Sequence, residues 1–130
     1  MEIDRDGKKL DKTVLVVDDS PKIRELLADA LLSDGFTTCV EAENGQEAIA
    51  TAEQVKPDLI ILDLSMPIMD GLEAAPALRR VLPETPIILF SLYGDRVSAA
   101  RAAQAGVNLV LAKTVPLRML LDKASELVGN

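Results

Sequence analysis

The feature that most constrains this chain is an alternation of two patterns. Short, unbroken aliphatic runs lie at 13–17, 58–62, 86–90 and 107–112, and a more polar, β-branched run lies at 36–42. Between them, apolar residues recur three and four positions apart. In the first such stretch Ile23, Leu26, Leu27, Ala30 and Leu31 follow that spacing, which predicts a helix with one buried face. Ser20 followed by Pro21 fits an N-cap and a first helical residue, and Gly35 lies just past the far end. Further helices are predicted over 45–55, 71–82, 95–105 and 116–128, the last with Leu117, Leu120, Leu121, Ala124 and Leu127 on one side. Strand–helix units joined by short connections require a parallel sheet covered by helices on both faces, a doubly wound α/β architecture. Central strands of such a sheet read as continuous apolar runs, so the polar 36–42 run belongs at an edge. Ligands of these sheets bind beyond the carboxyl ends of the strands.

Composition narrows the chemistry. The 130 residues suit one domain, with 13–130 as the folded unit and 1–12, carrying four acids and four bases, as a flexible leader. Only Phe36, Phe90 and Tyr93 are aromatic, so the core must be aliphatic. The net charge of −7 resides in the body of the domain and argues against direct contact with nucleic-acid phosphates. With no histidine, the chain has no catalytic imidazole, no imidazole metal ligand and no phosphohistidine of its own. The lone Cys39 excludes an internal disulfide and is expected to be an inert, buried thiol. No apolar run approaches the ~20 residues of a membrane span, and the charged N-terminus does not resemble a signal peptide. These features predict a soluble, cytoplasmic protein.

The ends of the strands carry the chemistry. The first apolar run stops on Asp18 and Asp19, and the 58–62 run on Asp63. Three carboxylates at one rim repel one another, and a hard divalent cation that favours carboxylate oxygens relieves the conflict. The 86–90 run is followed by Ser91 and the last by Lys113. Acids, a hydroxyl and an ammonium on one rim suit a phosphoryl group: a cation and the ammonium neutralise its oxygens, the hydroxyl donates to one, and a carboxylate can attack phosphorus.

In VLVVDDSP (14–21), LIILDLSMPIMDGLE (59–73), IILFS (87–91) and AGVNLVLAK (105–113) the chain resembles a response-regulator receiver domain of two-component signalling. The resemblance spans residues 13–128. It implies a flavodoxin-like (βα)5 fold with strand order 2-1-3-4-5. It implies Asp63 as phosphoacceptor, and Mg²⁺ held by Asp18, Asp19, Asp63 and the main-chain carbonyl of Ser65. Ser91 would contact a phosphoryl oxygen and Lys113 would pair with the phosphoryl group, while Pro67, Asp70 and Gly71 shape the loop after Asp63. The phosphoryl group would come from a histidine kinase or a histidine phosphotransfer protein. The resemblance further implies a stand-alone switch, monomeric or weakly dimeric, acting through contact with a downstream protein rather than as a metabolic enzyme.

Four residues depart from the family pattern. Lys113 is followed by Thr114 where a proline with a cis bond is usual; a cis bond before a non-proline residue costs ~2.5–4 kcal/mol, so a trans bond is expected. Val110 stands where an aromatic ring usually swings inward. Leu92 replaces a small residue beside the hydroxyl and is expected to narrow access to Asp63. Pro76 falls inside the third helix and is expected to kink or shorten it. Asn108 and Leu109 stand where receivers that dimerise through the last strand often carry acids, which assigns Leu109 to an apolar contact surface instead. Two other readings stay open from the residues alone. One is a degenerate receiver acting as a constitutive binding module. The other is a phosphatase of the haloacid-dehalogenase type, although its D-x-D motif is replaced here by Asp18-Asp19-Ser20.

Overall fold

The computed structural model describes residues 11–92 and 97–129. In chain order it contains β1 (Thr13–Val17), α1 (Pro21–Ser33), β2 (Thr38–Ala42), α2 (Gly45–Val55), β3 (Leu59–Leu62), α3 (Gly71–Val81), β4 (Ile87–Ser91), α4 (Ala99–Ala105), β5 (Leu109–Ala112) and α5 (Leu117–Leu127). All strand pairs are parallel, in the order β2-β1-β3-β4-β5. The polar run is an edge strand, as its composition requires. Of the expected leader, residues 1–10 lie outside the described residues; the carbonyl of Lys12 accepts the Thr37 amide at 2.9 Å and so leads into the sheet. No helix among the described residues is long and apolar enough to cross a membrane.

Side chains alternate across a strand, and here the alternation divides the core in two. Leu15, Val17, Ile60, Leu62, Ile87 and Leu89 face one layer, where they meet Ala48 and Ala52 of α2, Ala74 and Leu78 of α3 and Ala102 of α4. Val14, Val16, Leu59, Ile61, Ile88 and Phe90 face the other, against Leu27 and Leu31 of α1 and Leu120, Leu121 and Ala124 of α5. Leu26 does not join its expected stripe and is 54% exposed. At 100° per residue it lies well round the helix from the direction shared by Leu27 and Leu31, which dock on the sheet. Leu109 is half-buried, packing against the α1/α5 layer and lining a hollow beside α4. Cys39 is half-buried on β2; burial, then Glu41, pushes its thiol up to about 11, so it stays protonated at neutral pH.

The helix starts follow their caps. The Ser20 side chain accepts the Ile23 amide and the Asn44 side chain the Glu47 amide, while Asp70 and Glu73 form a reciprocal capping box. α4 begins later than its spacing predicts, because Ser98 caps it by accepting the Arg101 amide at 3.1 Å; residues 95 and 96 of that expectation lie outside the described residues. Pro76 does not shorten α3, which keeps 11 residues. No peptide bond among the described residues is cis, so Lys113–Thr114 is trans.

One side chain fastens the end of the sheet opposite the acidic rim. The Arg79 guanidinium, on α3, donates to the carbonyls of Leu82, Pro83, Thr85 and Gly106 and to Asn108 Oδ1, at 2.7–3.2 Å. Asn108 Oδ1 also accepts the Ile87 amide at 2.9 Å. The start of β4, the end of α3 and the α4–β5 turn are thus held by one planar donor. Removing it strands several carbonyls, and charge-assisted hydrogen bonds contribute ~1.5–3 kcal/mol each at most. Arg79→Ala is expected to lower the unfolding free energy by about 2–3 kcal/mol in urea titrations, and Arg79→Lys to recover less than half, because an ammonium cannot span the fork.

Candidate functional site

The register of the central strands builds the rim. Val17 lies opposite Ala42 on one side and Leu62 on the other. The next amides continue the pattern, with Asp18 donating to the Ala42 carbonyl at 3.1 Å and Asp63 to the Val17 carbonyl at 2.9 Å. Asp18 and Asp63 therefore leave neighbouring strands at the same level. Ser91 pairs with Ala112, and the Lys113 amide donates to the Ser91 carbonyl at 2.9 Å, so Ser91 and Lys113 leave the next two strands at successive levels. Gly71 lets α3 start directly against this rim: a Cβ there would lie 2.3 Å from the Asp63 carbonyl oxygen.

All five residues predicted from the strand ends meet in one cavity of about 410 Å³, which Ser65 and Leu92 also line. Asp18, Asp63 and Ser91 are buried, at 2%, 5% and 1% exposure, whereas Asp19 is exposed. One carboxylate oxygen from each of Asp18, Asp19 and Asp63 lies within 4.8 Å of the others. Lys113 Nζ sits between two of these acids, 2.6 Å from Asp18 Oδ2 and 3.5 Å from Asp63 Oδ1. Asp18 Oδ1 accepts the Ser20 amide at 2.9 Å. The donor set is all oxygen, anionic and open to solvent on the Asp19 side, and so fits a hard divalent cation that keeps part of its water shell. Leu92, 62% exposed, lines the same cavity as Asp63.

The family described as the response regulator receiver domain matches residues 14–125. The chain belongs to this family. Among similar proteins, the chemotaxis protein CheY of Thermotoga maritima is 33% identical over 118 residues, covering 88% of this chain and 98% of that protein. A protein-glutamate methylesterase/protein-glutamine glutaminase of Hahella chejuensis is 43% identical over 105 residues, 77% of this chain, yet the chain spans only 29% of that protein's length. Among solved structures, the response regulator protein TrrA of Thermotoga maritima, in complex with Mg²⁺ and BeF, superposes with a TM-score of 0.81 at 36% identity, covering 89% of this chain and 98% of that one.

In this receiver domain the loop after Asp63 is tightly folded. The Met69 amide reaches back to the Pro67 carbonyl at 2.7 Å and leaves Ile68 at φ 71, a left-handed conformation unusual for a β-branched residue, with its side chain 75% exposed. Met66 and Met69 pack against the α2/α3 layer, as expected of packing residues. Sequence reasoning passed over Arg24. Its guanidinium donates to the Asp18 carbonyl at 2.6 Å and to Glu41 Oε1 at 3.0 Å, and a bond to a main-chain carbonyl leaves no trace in a sequence.

Electrostatics at the rim is not balanced. Burial, then Asp18, raises the pKa of Asp63 above the usual 3.8; Lys113 lowers it, and Asp19 adds a smaller upward push. A carboxyl whose pKa is higher folded than unfolded holds its proton longer in the folded state, so stability falls as pH rises from 3.8 through the raised value. Asp63→Asn removes that ionisation. In thermal melts the variant is expected to exceed the wild type in Tm at pH 7, with the gain shrinking as pH falls towards 3.8.

Proposed function

We propose that this receiver domain is a phosphorylation switch in which Asp63 accepts a phosphoryl group from a phosphohistidine on a histidine kinase or a histidine phosphotransfer protein. The observation that carries this is the convergence of Asp18, Asp19, Asp63, Ser91 and Lys113 on one cavity, with the two central carboxylates buried beside an ammonium. An oxygen of the Asp63 carboxylate forms the new bond to phosphorus while the P–N bond to the donor imidazole breaks, and the imidazole departs with its electron pair. Lys113 Nζ, 3.5 Å from Asp63 Oδ1, is in reach of a phosphoryl oxygen with little movement. The Ser91 hydroxyl, on the adjacent strand end, donates to another. Asp18, Asp19, Asp63 and the main-chain carbonyl of Ser65 would hold Mg²⁺. When bound, that ion neutralises charge on the acids and on the phosphoryl oxygens. Water later hydrolyses the acyl phosphate and resets the switch. Output then passes through contact with a downstream protein.

The switch itself differs from the family's usual one. Val110 is half-buried against the α2/α3 layer and lines a hollow of about 520 Å³ between α4 and β5, together with Ala99, Ala102 and Ala103. An isopropyl group has no ring to bury or release, so less repacking couples to Asp63. Phosphorylation adds about −1.5 to −2 charge at neutral pH, and that charge must act through the segment after Ser91 and through 105–116.

With Mg²⁺ and acetyl phosphate or phosphoramidate, intact-mass spectrometry is expected to show one added phosphoryl group, acid-stable and base-labile, that Asp63→Ala abolishes. Lys113→Ala is expected to slow its appearance at least about tenfold, as loss of a charge-stabilising donor does at reacting centres. Absence of the added mass would favour a constitutive binding module, and turnover of a phosphomonoester would favour the phosphatase.

Amide hydrogen exchange with and without a phosphate mimic plus Mg²⁺ is expected to change within 91–116. An unchanged profile across that whole segment would count against signalling by this route.

A further inference from the structure

Arg24 is misplaced by the rules that govern its own helix. It sits four residues past the N-cap Ser20, in the opening turns of α1, where the helix dipole disfavours a cation. Its side chain is 15% exposed, although burying a guanidinium is costly unless its donors are matched. Both costs are offset by two bonds that leave the helix. Nε is 3.0 Å from Glu41 Oε1 on the edge strand β2, and Nη1 is 2.6 Å from the main-chain carbonyl of Asp18.

That carbonyl belongs to the peptide unit joining Asp18 to Asp19. The Asp18 carboxylate has restraints of its own, from the Ser20 amide at 2.9 Å and Lys113 at 2.6 Å. The Asp19 carboxylate is exposed and makes no hydrogen bond or ion pair among the described residues, although one of its oxygens lies within 4.8 Å of those of Asp18 and Asp63. Its direction is therefore set by the backbone that carries it. A short charged bond to the adjoining carbonyl fixes that peptide plane, and it brings a positive charge close to two acids that repel each other.

We infer that Arg24, steadied by Glu41, is a positioning residue that aims Asp19 into the acid cluster and so sets the domain's affinity for a divalent cation. This assignment rests on the acid cluster being the Mg²⁺ site proposed above. Arg24 touches no reacting atom; it acts through the Asp18–Asp19 peptide.

The test is a Mg²⁺ titration of the full chain followed by amide NMR shifts, which report both fold and affinity. Arg24→Ala is expected to weaken Mg²⁺ binding about tenfold and Glu41→Gln about threefold, in line with the loss seen when groups that orient metal ligands are removed. Arg24→Lys reaches only one of the two acceptors and is expected to fall between the wild type and Arg24→Ala. Arg118 supplies the control. It also bridges two acids, Asp34 and Asp122, but away from the rim, so Arg118→Ala is expected to leave Mg²⁺ affinity unchanged. Arg24→Ala binding as tightly as the wild type, or Arg118→Ala weakening it equally, would overturn the positioning role. Should Arg24→Ala fail to fold, wild-type affinity in both Arg24→Lys and Glu41→Gln would overturn it as well. A wild-type chain that binds no Mg²⁺ would instead overturn the cation site itself, and the role of Arg24 with it.

Discussion

Val17 is flanked by Ala42 and Leu62, and the amides that follow, from Asp18 and Asp63, each close one more rung of the parallel ladder. Everything at the rim depends on that alignment. Because β1 and β3 are neighbours in register, two carboxylates separated by 45 positions in the chain emerge at one level. On the other side of β3, the Lys113 amide bonds to the Ser91 carbonyl one rung past the Ser91–Ala112 pair, so hydroxyl and ammonium leave adjacent strands at successive levels. The three central aliphatic runs supply the force: the side chains of β1, β3 and β4 are almost wholly buried on both faces, and burial of that apolar surface offsets the crowding of charge at the strand ends.

The charges are then held in an uneasy balance. Lys113 lies closer to Asp18 than to Asp63, so the acid with the raised pKa is the one with the weaker claim on the ammonium. Crowded carboxylates of this kind are, on their own, a source of instability. Gly71 adds to the tightness, because only a residue without a Cβ lets α3 start so close beneath the Asp63 backbone.

Much of this was legible in the sequence because it rests on pattern. Five strands, five helices and the β2 edge follow from where apolar runs and helical spacings fall, the rest of the strand order follows from the family resemblance, and all five polar residues at the strand ends share one cavity. The misses have a common cause. Leu26 fits the helical spacing, yet the direction from which the sheet approaches α1 is a tertiary fact. α4 starts at Ala99 because a serine side chain closes its first turn, whereas alanine-rich sequence alone does not mark where a helix begins. Arg24 and Arg79 act mainly on main-chain carbonyls, and any residue can present one of those. α3 runs through Pro76 for 11 residues while packing into the core through Ala74, Ala75 and Leu78.

The division of the core into two layers by odd and even positions carries an evolutionary consequence. Inserting or deleting one residue within β1, β3 or β4 would exchange the side chains offered to the two helical layers and, in the same stroke, shift the polar residue at the strand's end out of the rim. Packing and chemistry would fail together. Length variation in a chain of this kind is therefore confined to its connections, and the strands can diverge only by substitution.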